Sequence, residues 1–148
     1  MIWWSIDAAR GSKYIDTVVL STEDHEISQI AKSLGCTVIH RPNDLATDDA
    51  MNEDVLRHTL SLIEADLVIL LQPTSPLRIS EDIDKCLEMA DGDDGCISYR
   101  LDGKKNGAVY VATAEWLNKG NYFDKPFKSY YLMPYERSLD IDTEDQLS

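Results

Sequence analysis

The chain has 148 residues, 43% hydrophobic and 28% charged, which is enough for one domain with a proper core and excludes a disordered composition. Its formal net charge of −13 excludes sequence-independent nucleic-acid binding, which needs a basic footprint, and fits poorly with an anionic membrane surface. No apolar stretch has the length of a membrane span, and the odd, widely spaced Cys36, Cys86 and Cys96 point to buried free thiols rather than zinc or disulfides.

Met1-Ile2-Trp3-Trp4-Ser5 lacks a basic segment and a long apolar core, so a cytoplasmic location is expected. Ile2 to Ser12 reads as a helix with an apolar stripe through Trp3, Ile6 and Ala9. Ala9-Arg10-Gly11-Ser12-Lys13 has phosphate-loop residue types without the Walker spacing, and Gly11 fits a helix end. Thr17 to Ser21 is a buried strand, and Thr22 suits the N-cap of a helix whose core face carries Ile27, Ile30, Ala31 and Leu34 before Gly35. Thr37 to His40 is the next strand. His25 and His40 have no Cys or His partner nearby in sequence and read as structural. The polar loop Arg41 to Ala50 leads to a cap at Asp48 or Asp49, then to an amphipathic helix over Met51 to Glu64 with Val55, Leu56, Leu60 and Ile63 inward.

The apolar run Leu67 to Leu71 reads as a strand buried on both faces. It stops at Gln72, and Pro73 and Pro76 stiffen the exit. The Gln72 amide, the Thr74 and Ser75 hydroxyls and the Arg78 guanidinium lie where an open α/β sheet builds its ligand site, beyond the carboxyl end of a strand, although taken alone the loop reads first as a Pro-rich strand-to-helix connection with incidental polar residues. Ser80 caps the following helix, whose core face carries Ile83, Leu87 and Ala90. Asp91 to Gly95 lacks calcium-loop spacing and reads as a solvated turn. Cys96 to Tyr99 and Ala108 to Ala112 are strands, with Asn106-Gly107 as the hairpin signal between them. A short helix over Thr113 to Leu117 and a strand over Ser129 to Met133 follow. Leu139-Asp140-Ile141-Asp142 alternates, which in an extended segment sets two carboxylates on one face. Taken alone, that pair reads as solvated charge rather than as a metal site.

Gln72-Pro73-Thr74-Ser75-Pro76-Leu77-Arg78 after its strand resembles the signature loop of the N-acylneuraminate cytidylyltransferases, the CMP-sialic acid synthetases. Ser21-Thr22-Glu23-Asp24, Arg41-Pro42 with Leu45-Ala46-Thr47-Asp48, Asn106-Gly107-Ala108-Val109-Tyr110 and Ser138 to Glu144 match in the same order, so the resemblance covers nearly the whole chain. It implies a single α/β domain over residues 1–148, with a three-layer, Rossmann-like nucleotidyltransferase fold and a mostly parallel sheet. It implies transfer of CMP from CTP to a nine-carbon sugar acid. Gln72, Ser75, Arg78, Asn106, Tyr110 and Phe123 would meet the sugar acid. Arg41, Ala46 and Thr47 would meet the nucleotide, and Asp140 and Asp142 would hold Mg²⁺.

Relatives place a central strand and a Gly-rich phosphate loop ahead of the helix matched by Ile2 to Ser12, and a long dimerisation arm where this sequence has Leu101 to Gly107. Without the strand the sheet lacks its first central member. The strands at Thr17–Ser21 and Leu67–Leu71 then either pair directly or leave a gap for another segment or subunit in a homo-oligomer. Lys104-Lys105-Asn106-Gly107 stands for Arg-Pro-Asn-Gly, and Lys cannot give the two-pronged grip of Arg. Weakened phosphate support makes turnover doubtful on this reading. The rival expectation is a non-catalytic module that binds a sugar acid, a nucleotide or a protein.

Overall fold

Helices and strands alternate along the chain: α1 (Ile2–Arg10), β1 (Val19–Thr22), α2 (His25–Ser33), β2 (Thr37–His40), α3 (Asn52–Leu62), β3 (Leu67–Leu70), α4 (Ser80–Ala90), β4 (Gly95–Tyr99), β5 (Lys105–Thr113), α5 (Ala114–Asn118) and β6 (Ser129–Leu132). The computed structural model describes residues 2–47, 49–72, 74–75 and 77–138. The architecture is the α/β, Rossmann-like one expected, and the chain divides into two compact units. One unit comprises Met1–Ile15, Ile69–Ala112 and Pro126–Ser148; the other comprises Asp16–Val68 and Thr113–Lys125.

In the second of these units β1 and β2 pair in parallel, with Val19 opposite Thr37 and Thr22 opposite His40. The strand runs on through Thr22, so the cap of α2 moves to Asp24, whose side chain accepts from Ile27 N at 3.0 Å. Thr22, expected as the cap, instead accepts from the Asp24 amide. Gly35 takes a φ of 82° beyond the helix, which a residue without Cβ adopts freely. Ala31 is buried as expected, but Ile27 and Ile30 are 36% and 45% exposed. β1, expected to be buried, is half-buried over Val19 to Ser21. The cause is shared: β1 pairs with β2 alone, and a two-stranded sheet has little surface against which to bury a helix face. The start of α3 also differs from expectation. Met51 holds the cap position with no side-chain bond, and Asp48 and Asp49 precede it.

The other unit holds a sheet of order β3-β5-β4-β6, with β4 antiparallel to β5 and parallel to β6. Its core joins Ala8 of α1, Ile83, Cys86, Leu87 and Ala90 of α4, Cys96, Ala108, Val109, Val111 and Met133. All three cysteines are free and buried. β3 differs from its expected burial: Leu67 is 43% exposed and Val68 to Leu70 are half-buried, because β3 ends the sheet with β5 as its one neighbour. Among the described residues β1 and β3 belong to separate sheets, so of the two expected alternatives direct pairing does not occur.

α1 ends at Arg10 and buries Ser5, Ile6, Ala8 and Ala9, whereas Trp3 lies exposed against Trp4. Ser80, expected as a cap, is the first residue of α4 and donates to Ala8 O at 2.7 Å; Ile79 takes the cap position. Ser12 Oγ and the Lys13 amide both donate to Asp84, which draws the end of α1 onto α4. A Cβ on Gly11 would collide with Ser80 Oγ and crowd its Cβ. Gly11→Ala is therefore expected to destabilise the protein by about 1–3 kcal/mol through overpacking, read from the urea midpoint. A midpoint equal to wild type would show that the two helices can part without cost.

Candidate functional site

The loop after β3 is built by its own backbone. Ser75 N donates to Gln72 O at 3.3 Å, and Arg78 N donates to Ser75 O at 3.4 Å, two successive turns between residues 72 and 78. Arg78 then reaches back. Its Nη1 donates to Gln72 O at 3.1 Å and to Ala108 O at 2.8 Å, and its Nη2 donates to Ser5 Oγ. The residue is 4% exposed and makes no carboxylate ion pair among the described residues. Burial pushes its guanidinium down to about 10, against the upward pull of the Asp82 charge, so it stays cationic at neutral pH. Arg78 Nε and Ser75 Oγ are buried without a hydrogen-bond partner. Two such atoms in one loop cost about 1–3 kcal/mol each, the kind of local conflict that concentrates at sites kept for a purpose other than stability.

Asn106 lies across from this loop in the sheet. The turn between β4 and β5 is Arg100 to Lys104, with Gly103 at a φ of 88°, so Asn106-Gly107 is not the hairpin turn expected from sequence. It forms a bulge at the start of β5, where the register passes from Ile97↔Tyr110 to Tyr99↔Lys105. Ser98 fills the bulge: its hydroxyl donates to Asn106 Oδ1 at 2.7 Å and accepts from Val109 N at 2.9 Å. Asn106 Oδ1 also accepts from Ala108 N, and Nδ2 faces Ser138 Oγ and Met133 Sδ, each at 3.3 Å. The Asn106 side chain thus spends its hydrogen-bonding capacity inside the fold. The Ala108–Val109 peptide joins the two halves, its C=O accepting from Arg78 and its N–H donating to Ser98 Oγ beside Asn106. Tyr110 follows in β5, half-buried opposite Ile97.

Sequence reading missed the polar centre of this unit. Asp82 is fully buried and accepts from Ile79 N at 3.0 Å, Tyr131 Oη at 2.8 Å, and Arg137 Nε and Nη2 at 2.9 Å each. The hydrogen bond to Asp82 pushes the Arg137 guanidinium up, and burial followed by the same carboxylate pushes the Tyr131 phenol up to about 12. The one local signal was an Asp in the first turn of α4, which reads as a helix-dipole charge.

The nucleotide candidates sit in the other unit. Arg41 follows β2 and donates from Nη2 to Ser21 O at 2.7 Å, tying the ends of β1 and β2 together. A 3-10 turn over Asn43–Leu45 leads to half-buried Ala46 and exposed Thr47. A cleft of about 300 Å³ opens at the carboxyl ends of the same two strands, lined by Thr22, Asp24, His25, Ser28, Lys32 and His40 among others. Phe123 lies away from these, stacked on Trp116 with centroids 5.4 Å apart, and its amide donates to the buried Glu53 at 2.7 Å. Asp140 and Asp142 fall outside the described residues, within which no group of three or more His, Cys, Asp or Glu could hold a metal ion. No helix among the described residues is long and apolar enough to cross a membrane.

A family model described as Cytidylyltransferase matches residues 1–107. The chain is 27% identical over 179 aligned residues to an N-acylneuraminate cytidylyltransferase of Escherichia coli O18:K1:H7, covering 96% of this chain and 43% of that protein. It is 29% identical over 189 to a CMP-N,N'-diacetyllegionaminic acid synthase of Legionella pneumophila, covering 97% of this chain and 80% of that protein. The chain thus spans less than half the length of the first of these relatives. A solved structure of a cytidylyltransferase from Leptospira borgpetersenii superposes with a TM-score of 0.69 at 18% identity, over 97% of this chain and 71% of that one, which supports the fold alone. With a family model covering well over half of its residues, and this fold beneath the matching motifs, the chain belongs to the cytidylyltransferase family.

Proposed function

We propose that this chain recognises a cytidine nucleotide and a sialic-acid-type sugar acid, and takes part in transfer of CMP from CTP to that acid with release of pyrophosphate. The observation that carries this reading is the Gln72–Arg78 loop, which leaves the carboxyl end of β3 and is held by a buried arginine, in a chain whose family is cytidylyltransferases. Names of relatives that make CMP-activated sugar acids support the substrate class. Gln72 and Tyr110, both half-buried, would meet the sugar acid, with Ser75 in the same loop as Gln72 and Asn106 in the bulge that precedes Tyr110. Arg41, Ala46 and Thr47 would meet the nucleotide. Phe123 supports its own unit from within and is assigned no contact with the sugar.

Asp140 and Asp142 offer two hard oxygen donors two residues apart, a set that suits Mg²⁺ with phosphate and water completing its shell. When bound, the ion would screen phosphate charge during attack at the α-phosphorus. The test is the purified chain with CTP, Mg²⁺ and a panel of nonulosonic acids, assayed for pyrophosphate and by calorimetry. Release that requires the sugar acid is the expected result. Binding heat without release would replace transfer by a binding role, and neither heat nor release would remove the reading altogether.

A further inference from the structure

One side chain joins three separate segments of its unit: Arg78 holds the end of β3 through Gln72 O, the β5 bulge through Ala108 O, and α1 through Ser5 Oγ. No other described arginine in that unit does this from within the core; Arg100 and Arg137 pair with carboxylates and keep solvent access. We propose that Arg78 is a positioning residue, which never touches the sugar acid but fixes the Gln72 loop and the Asn106 bulge in one relative arrangement. The proposal rests on the functional reading above for the identity of the ligand, and on the hydrogen bonds alone for the clamp.

Three features carry it. First, the acceptors are two main-chain carbonyls and one hydroxyl, so the guanidinium is not there to neutralise a charge. Second, the planar fork spans acceptors that diverge in space, which a Lys ammonium on a flexible stem cannot match. Third, the clamp meets the Ala108–Val109 peptide, whose N–H donates to Ser98 Oγ, the hydroxyl that in turn donates to Asn106 Oδ1, so a shift at Arg78 is passed to the bulge through a single rigid plane. Among its described residues the loop's own backbone bonds are two long ones, at 3.3 and 3.4 Å, so Arg78 supplies the firmer tie of Gln72 to the rest of the unit.

The experiment compares wild type with Arg78→Lys in the full chain. Amide hydrogen exchange reads the clamp without any ligand: faster exchange at Ser75 and Ala108, with Leu34 and Cys36 unchanged as controls, is expected. Calorimetry with N-acetylneuraminate and, separately, CTP reads the consequence: affinity for the sugar acid should fall about tenfold or more while that for CTP holds. In a Gln72→Ala background the same Arg78→Lys change should cost much less sugar affinity, which a general loss of stability would not produce. If Arg78→Lys does not fold, Ser5→Ala, which removes one of the three ties, takes its place with the same readouts. Unchanged exchange at Ser75 overturns the clamp, and unchanged sugar affinity in a folded variant overturns the positioning role. Should wild type bind no sugar acid, the functional reading and the positioning role both fall, while exchange still decides the clamp.

Discussion

Asp82→Ala is expected to destabilise the protein by about 3 kcal/mol at neutral pH, the lower end of the range for breaking a buried charge pair. The carboxylate is fully buried and accepts four hydrogen bonds, two of them from the Arg137 fork. Removing it strands the Tyr131 hydroxyl, the Ile79 amide and a guanidinium. The cost stays at the lower end because the Arg137 side chain keeps 24% exposure and can rehydrate. Asp82→Asn, which retains shape and one acceptor oxygen, should cost about half as much. Urea denaturation checks both. A spectroscopic titration of Tyr131 adds an independent readout: its phenol, pushed up to about 12, should fall part of the way toward its ordinary value in Asp82→Asn, since burial, the larger cause, remains. A loss under 1 kcal/mol for the alanine variant would mean that the network contributes little net stability.

Phe123→Ala is expected to cost about 3–5 kcal/mol, the range for deleting a buried aromatic ring. The ring is buried and stacks on buried Trp116 at an interplanar angle of 27°, beside the Glu53 carboxylate that the Phe123 amide serves. Phe123→Leu keeps most of the volume and should cost under about 1.5 kcal/mol. The pair of variants separates two roles. A core residue tracks lost volume in its stability. A residue whose business is a sugar would leave stability within about 0.5 kcal/mol and lower affinity instead. Stability that ignores the ring size would return Phe123 to the ligand site.

Much of the chain's layout was legible locally. Each helix and strand was placed within a few residues, because apolar periodicity and Gly or Pro punctuation act over short distances. The loop of residues 72–78 and Arg41 at the end of β2 stood out through the family resemblance of their motifs rather than through their own composition. Caps were the weakest point: Thr22, Asp48 or Asp49, and Ser80 all have capping chemistry, yet Asp24, Met51 and Ile79 hold those positions. A strand that runs one residue further, or a helix that docks on a neighbour's carbonyl, moves the cap, and neither is written nearby. Asn106-Gly107 misled for a related reason. Its turn propensity is real, but Ser98 across the sheet offered a better use for the amide and converted a turn signal into a bulge.

Local chemistry was therefore enough to establish an α/β chain and its buried thiols, and the resemblance of its motifs was enough to establish its cytidylyltransferase family. Only the folded arrangement could say that β1 and β3 end their sheets half-exposed, that Ile27 and Ile30 lack a partner surface, and that Asp82 anchors Arg137. It also gave Arg78 its carbonyl acceptors, Gln72 O and Ala108 O, which lie 6 and 30 residues away along the chain. The division follows from range. Backbone preference and apolar spacing are properties of neighbours in sequence, whereas burial and the choice of hydrogen-bond partner depend on segments that meet only after the chain has closed on itself.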